Sequence, residues 1–268
     1  MMPSSGTEWR REPVQFADAA LARRLEAGEA AIARGCVRRG AEVLEVAGGC
    51  AVFAGAGSPL TQAVGLGLSG PVSPADLDSL AAFFRSRGAP LRIEVCPLAD
   101  AGFLEALAGR GCRVTEFNNV LAMPLAGYAV PPSPRVRLIA PGEEDLWSLT
   151  VGRGFFEEAR LTPEEMDVGR DIAAMPSAQC YLAFEDGEAA GGAALAIGEG
   201  LATLFADSAI ARFRRRGLHG ELIAARLAEA AARGCDMAAA CAQPGSVSQR
   251  NYERVGFRVV YSKATLVG

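Results

Sequence analysis

Apolar residues recur along this chain with two alternating periods, one helical and one of two residues, and the switches between them mark its elements. Ala, Leu and Ile at helical spacing among Arg and Glu over Phe16–Arg34 predict one or two opening helices. Period-two runs follow at Glu42–Val46 and Ala51–Ala54, with Gly48-Gly49 between them as a hairpin turn, and Ala63–Leu68 continues the sheet. Ser73-Pro-Ala-Asp76 supplies a cap, a proline at the first helical position and an acid in the first turn. The helix it launches should run to about Arg87, where Gly88 ends it. Leu91–Val95 reads as a strand, Ala101–Ala108 as a short helix, and Cys112–Phe117 and Val120–Met123 as closing strands.

Pro124 and the run Pro131-Pro-Ser-Pro134 form the clearest linker. A second series begins with a strand at Val136–Ile139, a helix over Glu143–Phe155, and another helix from Thr162, where Thr-Pro-Glu-Glu gives both a cap and a first-turn proline. Strands at Cys180–Phe184 and Ala189–Ile197 flank the turn residues Asp186-Gly187. An apolar strand from Thr203 then leads through Arg212, Arg214, Arg215 and Arg216 into Gly217-Leu-His-Gly220 and an alanine-rich helix reaching about Arg233. Asp236–Cys241 reads as a strand, Ser246-Val-Ser-Gln249 as a capping box for a short helix, and Gly256–Val260 and Ala264–Val267 as final strands.

The two series repeat one another. Helix, Arg87-Gly88, strand, Pro97, helix and Gly111-Cys-Arg-Val114 answer helix, Arg233-Gly234, strand, Pro244, helix and Gly256-Phe-Arg-Val259. Subtracting positions, Gly234 lies 146 residues after Gly88 and Gly256 lies 145 after Gly111, the pattern of an ancestral duplication. The expected architecture is therefore α/β (α+β), with two tandem domains, each a mixed, mostly antiparallel twisted sheet flanked by helices. The boundaries read as residues 1–127, a proline-rich linker at 128–134, and residues 135–268.

Composition narrows the functions open to such a fold. Lys and Arg number 27 against 31 Asp and Glu, a net charge of -4, which argues against a general nucleic-acid binder. The arginine cluster then suits one small anion. Seven cysteines are scattered without a C-x-x-C pair, as expected of mostly buried thiols in a reduced cytoplasm rather than of a zinc site or a disulfide framework. The polar Met1–Arg10 segment holds no apolar run, and no stretch approaches membrane-spanning length, so a soluble cytoplasmic protein is expected.

The strand, basic turn, glycine and helix around Gly217 suit a phosphorylated ligand. The first four N–H groups of a helix lack internal partners and carry partial positive charge, glycine permits close approach, and arginines add charge-assisted hydrogen bonds. A solvated arginine turn before an ordinary helix fits the same residues.

Arg214-Arg-Arg-Gly217-Leu-His219 and Tyr252-Glu-Arg-Val-Gly256-Phe257 together resemble the two signatures of the GNAT superfamily of acyl-CoA-dependent N-acyltransferases. The first matches that family's Arg/Gln-x-x-Gly-x-Gly/Ala motif, with His219 where a small residue is usual. The resemblance covers about Val136–Gly268 strongly and the first half in element order alone.

It implies that backbone groups of Arg215, Arg216, Gly217, Leu218, His219 and Gly220, following Arg214, cradle the pyrophosphate of acetyl-CoA. Pantetheine would run between splayed strands, with main-chain groups near Ala209 and Ile210 polarising the acyl carbonyl. Tyr252 would be the general acid that protonates the departing thiolate. For the base, Asp207 is favoured over Glu157, Glu158 and a water chain. The imidazole of His219 is expected to point outward, away from the phosphate turn. The first half has Gly70-Pro-Val-Ser-Pro74 in place of the basic turn and Leu107 opposite Tyr252, and reads as a degenerate copy that packs on the second half and shapes the substrate cleft.

The expected function is transfer of an acetyl group from acetyl-CoA to a primary amine by direct attack, without metal. The acceptor is left open among amine antibiotics, amino acids, polyamines and peptide N-termini. A non-catalytic acyl-CoA sensor or scaffold of the same fold is the alternative. A dinucleotide or P-loop enzyme is disfavoured, because Gly217-Leu-His-Gly220 has too few glycines and no Gly-Lys-Ser/Thr occurs.

Overall fold

A computed structural model describes residues 18–35, 40–158 and 160–268. The Met1–Arg10 segment, the start of the expected first helix at Phe16 and Ala17, and Cys36 lie outside the described residues. Helix α1 spans Ala19–Arg34 and is capped by the Asp18 carboxylate, which accepts from Leu21 N. Strands β1 (Glu42–Val46) and β2 (Gly49–Phe53) form the expected hairpin. Strand β3 (Gln62–Val64) is shorter than its apolar run, because Gly65 and Gly67 turn the chain at positive φ. Helix α2 (Pro74–Arg85) opens with a complete Ser73–Asp76 capping box, and β4 (Arg92–Val95), α3 (Ala101–Gly109) and β5 (Arg113–Pro124) follow.

The second series contains β6 (Val136–Leu138), α4 (Glu144–Phe156) and α5 (Pro163–Ala173), the last launched by a Thr162–Glu165 capping box. Strands β7 (Ala178–Glu185) and β8 (Glu188–Gly198) are joined by Asp186 and Gly187 at φ 51° and 80°, the left-handed pair a two-residue hairpin requires. Then come β9 (Leu201–Ala209), a short 3₁₀ turn at Ala211–Phe213, α6 (Leu218–Ala232), β10 (Met237–Ala242), α7 (Val247–Val255) and β11 (Arg258–Val267). Only half of the capping box expected at Ser246 forms. Ser246 Oγ accepts from Gln249 N, whereas Gln249 Oε1 accepts from Gly245 N.

The strands pair into one sheet in the order β1-β2-β3-β4-β11-β5-β10-β9-β8-β7-β6. Each half hands its last strand to the other. Strand β5 lies between β11 and β10, and β11 lies between β4 and β5. Arg113 faces Val267 and Ala122 faces Arg258, and since 258 less 113 and 267 less 122 are both 145, the repeat maps this antiparallel pair onto itself. Continuous pairing explains why each pair of short strands expected at the two repeat ends is one long strand. Asn118 and Asn119 stay extended because they pair with Lys263 and Ser262.

Helices cover both faces. Leu218, Leu222, Ile223 and Leu227 of α6 pack with Leu195 and Leu204 on one face, where Tyr252 and Phe257 join them, while α2 and α3 cover the first half. On the other face α4 and α5 pack over β7–β9, and α1 crosses the middle, touching β2 and β3 of the first half and β8 and β9 of the second. Helix α4 lies so close to β9 that a Cβ on Gly154 would come within 2.2 Å of Ser208 Oγ. Among the described residues no helix is long and apolar enough to cross a membrane.

Leu121 of β5 is fully buried in the second half's core. Leu121→Ala should therefore cost about 2–5 kcal/mol and lower the melting of both halves together. Calorimetry that resolves two independent transitions would show that the exchanged strands do not couple the halves.

Candidate active site

Strands β9 and β10 run parallel only as far as Leu204 and Ala240. Beyond that point β9 stays paired with β8 on its other edge, through a register shift between Gly192 and Ala194 and a left-handed Ala206 at φ 54°. A two-versus-one bulge of this kind bends a strand away from its neighbour. The result is a gap in the sheet, lined by main-chain groups of β9 that no longer face a strand.

The turn after β9 ends in an open helix start. Arg215 and Gly217 take left-handed φ values of 64° and 85°, and Gly217 occupies the cap position of α6 without a side-chain cap. Among the described residues no backbone N–H from Arg215 to Gly220 donates to a protein acceptor. These donors, with the positive end of the helix dipole, form a place for an anion. The equivalent helix start in the first half is closed, because Ser73 and Asp76 of α2 satisfy it and put a carboxylate there.

Most of the arginines of the turn are engaged elsewhere. Arg214 donates to Ala209 O, Gly154 O and Glu157, tying β9 to the end of α4. Arg212 pairs with Glu188 and Arg216 with Glu185, because the β7–β8 hairpin brings acids alongside the turn. Arg215 makes no ion pair among the described residues. The two main-chain positions expected to polarise a carbonyl are also occupied, since Ile210 N donates to Ala190 O at 2.9 Å and Ala209 O accepts from Arg214. The strand remains paired there; its free edge lies farther back, from Phe205 onward.

Asp207 sits at the gap within a buried polar network. Arg226, fully buried on α6, binds both its carboxylate oxygens, with Nη1 3.2 Å from Oδ2 and Nη2 on Oδ1. Tyr252, 1% exposed, donates its hydroxyl to Oδ2 at 2.6 Å. His219 Nε2 lies 3.1 Å from Oδ1, while the Asn251 amide reaches His219 Nδ1 at 2.9 Å. With Asn251 donating, the imidazole hydrogen lies on Nε2 and points at Asp207. The imidazole thus turns inward, contrary to the sequence expectation, and meets the Tyr252 ring edge-on at 5.5 Å between centroids. Facing acceptors at Asp207 and a donor at Asn251 hold it there.

This network fixes the charges. Burial opposes ionisation of Asp207, but Arg226 and His219 outweigh it and hold the carboxyl well below its usual range. Burial and the adjacent Asp207 charge push the Tyr252 phenol well above its usual value, against Arg226. Arg226 and Asn251 did not emerge as site residues from sequence reasoning. A signal for Arg226 was present, since it continues the buried Leu218, Leu222 stripe at a spacing of four residues, where an unpaired charge would be costly.

On the face covered by α1, α4 and α5, a cavity of about 590 Å³ opens onto the gap at Ala206, Asp207 and Ala240. Its walls come from both halves, including Leu25 and Glu29 of α1 and Ile172 and Met175 from the α5 region. Among the described residues no group of three or more His, Cys, Asp and Glu side chains could hold a metal.

Residues 146–257 match the sequence model of the acetyltransferase (GNAT) family. This chain carries a GNAT acetyltransferase domain. The match runs from α4 through the open turn to Phe257 and so takes in the whole Asp207 network. Solved structures agree in fold. A GCN5-related N-acetyltransferase from Kribbella flavida, 19% identical, superposes with a TM-score of 0.67 over 92% of this chain and 95% of its own, so its fold extends over both halves. A GCN5-related N-acetyltransferase from Sphaerobacter thermophilus, 14% identical, gives 0.54 over 85% and 75%. A tandem GNAT protein from the clavulanic acid biosynthesis pathway, 16% identical, gives 0.52 over 69% and 65%. No curated protein matches the sequence significantly.

Removing one member of the buried pair in the GNAT domain tests the network. Arg226→Met should lose about 3–5 kcal/mol in urea unfolding by stranding the Asp207 charge, and adding Asp207→Asn should recover much of it. Because the folded Asp207 pKa is depressed, its stabilisation is complete above the ordinary carboxylate pKa of about 4 and is lost below it. The stability gap between wild type and Asp207→Asn should therefore narrow in acid. A gap independent of pH would refute the charge pairing.

Proposed function

We propose that the GNAT domain transfers an acetyl group from acetyl-CoA to a primary amine. The observation that carries this reading is the meeting, at one gap in the sheet, of an uncapped helix start and a buried phenol. The free N–H groups of Arg215–Gly220 suit the pyrophosphate, with Arg215 the arginine available to it. Exposed pairs such as Arg212 with Glu188 are weak enough to rearrange toward a phosphate. Acetyl-CoA supplies the activated thioester.

Tyr252 is neutral at working pH, and its hydroxyl, which donates to Asp207 at 2.6 Å, swings from that carboxylate to the sulfur as thiolate charge develops there. Asp207 is assigned a positioning role in place of the base expected from sequence. Its charge is committed to Arg226, and a carboxylate held so far down is a poor proton acceptor. It orients the Tyr252 hydroxyl, and His219 and Asn251 brace it from the α6 and α7 sides. Polarisation of the acyl carbonyl falls to the unpaired β9 edge at the Ala206 bulge, which lies at the mouth of the cavity. The amine approaches through that cavity.

Calorimetric titration should find one acetyl-CoA site per chain, since the first half's helix start is closed. Two equivalent sites, or none, would overturn the reading. Tyr252→Phe should keep the acetyl-CoA affinity while turnover, followed as released thiol across a panel of amines, falls about 10²–10⁴-fold. Undiminished turnover would remove Tyr252 from its role, and binding without turnover in the wild type would favour a sensor.

A further inference from the structure

The cavity leading to the gap carries a charge imbalance on its first-half wall. Lys263 of β11, its side chain 1% exposed, lies between Glu29 of α1 and Glu94 of β4. Tyr261, two residues earlier, donates to Glu26 Oε1 at 2.7 Å, and Glu26 Oε2 is buried with no hydrogen-bond partner. Three carboxyl groups thus share one fully buried cation, the other positive charge nearby being the partly exposed Arg92, which lies 3.5 Å from a fourth carboxylate, Glu116. A low-dielectric site cannot keep all three ionised without a further positive charge. Of the three, Glu26 and Glu94 are sealed, at 1% and 7% exposure. Glu29 alone lines the cavity.

We propose that Glu29, supplied by the half that lacks the acyl-CoA turn, receives the proton of the acceptor amine, and that the acceptor is a small amine whose body rests on the apolar wall of Ile32, Leu60, Ile172 and Met175. The inference rests on the acetyl-transfer reading. An entering ammonium supplies the positive charge that the cluster lacks. Its proton passes to the Glu29 carboxylate, directly or through one water, and leaves the nitrogen lone pair free. That pair forms the N–C bond as the C–S bond breaks. Nitrogen gives up a second proton to solvent, the sulfur takes one from Tyr252, and solvent restores the phenol. The net proton leaves from Glu29.

Glu29 has the affinity for this exchange. Burial, with the neighbouring Glu94 and Glu26 charges, outweighs Lys263 and raises its pKa to about 8, close to the optimum for a group that gains and loses a proton near neutrality. Among the described residues, the titratable or charged groups around it and along the same cavity are Glu26 on its own helix, Cys50 on β2, Arg92 and Glu94 on β4, Glu116 on β5, Asp207 on β9, Cys241 on β10, and Tyr261 and Lys263 on β11. Glu29 must be ionised to accept a proton, so the rate should rise with pH through about 8.

The test compares kcat/KM for the best amine of the panel against pH in the wild type, Glu29→Gln and Glu29→Asp, each checked for an unchanged acetyl-CoA Kd. Glu29→Gln should lose about 10²–10⁴-fold and the limb near 8, and Glu29→Asp should regain part of the rate with a displaced limb. Ionisation of the amine itself appears equally in all three profiles, so their difference isolates Glu29. If Glu29→Gln keeps the wild-type rate and limb, the inference falls and acetyl transfer stands. A loss of rate in Glu29→Gln with the limb intact would reduce Glu29 to a structural part and also overturn the inference. If the wild type binds no acetyl-CoA, both fall.

Discussion

The pairing of β5 with β11 determines where the rest of the sheet lies. Each strand is flanked on both sides by strands of the other half, β11 by β4 and β5 and β5 by β11 and β10, so neither half-sheet is complete without its neighbour. That arrangement carries Lys263 and Tyr261 of β11 beneath α1, where they meet Glu29 and Glu26. It also places Leu121 of β5 in the core beneath Tyr252 and Phe257. The cavity is a product of the exchange, because its walls come from elements that an unexchanged pair of domains would hold apart.

Two helix starts in this chain show how one backbone plan serves opposite ends. A helix leaves its first N–H groups without internal partners, and something must satisfy them. At α2 the chain does so itself, with Ser73 and Asp76. At α6 a glycine cap follows a left-handed arginine, and the donors are left to water or a ligand. The two halves thus differ in whether this need is met from within.

Much of the fold could be read from sequence because its signals are local. Capping at Ser73 and Thr162, the Asp186-Gly187 turn and the amphipathic helices all appear where expected. The strand exchange was hidden, since β5 and β11 repeat each other and nothing local says which copy lies beside β4. At the site, the turn and Tyr252 were legible as motifs. The inward turn of His219, the use of Ile210 N by Ala190 and the binding of Asp207 by Arg226 were not. Each of these depends on a partner 12 or more residues away, and side-chain direction follows the partner once the backbone has placed it. Glu29 was equally silent, a carboxylate on an ordinary amphipathic helix until β4 and β11 arrive beside it.

The position of β11 also bears on how the molecule is made. Of the strands in the described residues it is the last to be synthesised, yet its partners β4 and β5 are made more than a hundred residues earlier. Until it arrives, both strands present unsatisfied edges, and the central slot between them stands open to any other extended segment, including β11 of a neighbouring copy. Such distant pairing slows folding and lengthens that exposure. The feature that unites the two halves is therefore also the point at which two nascent molecules could become entangled.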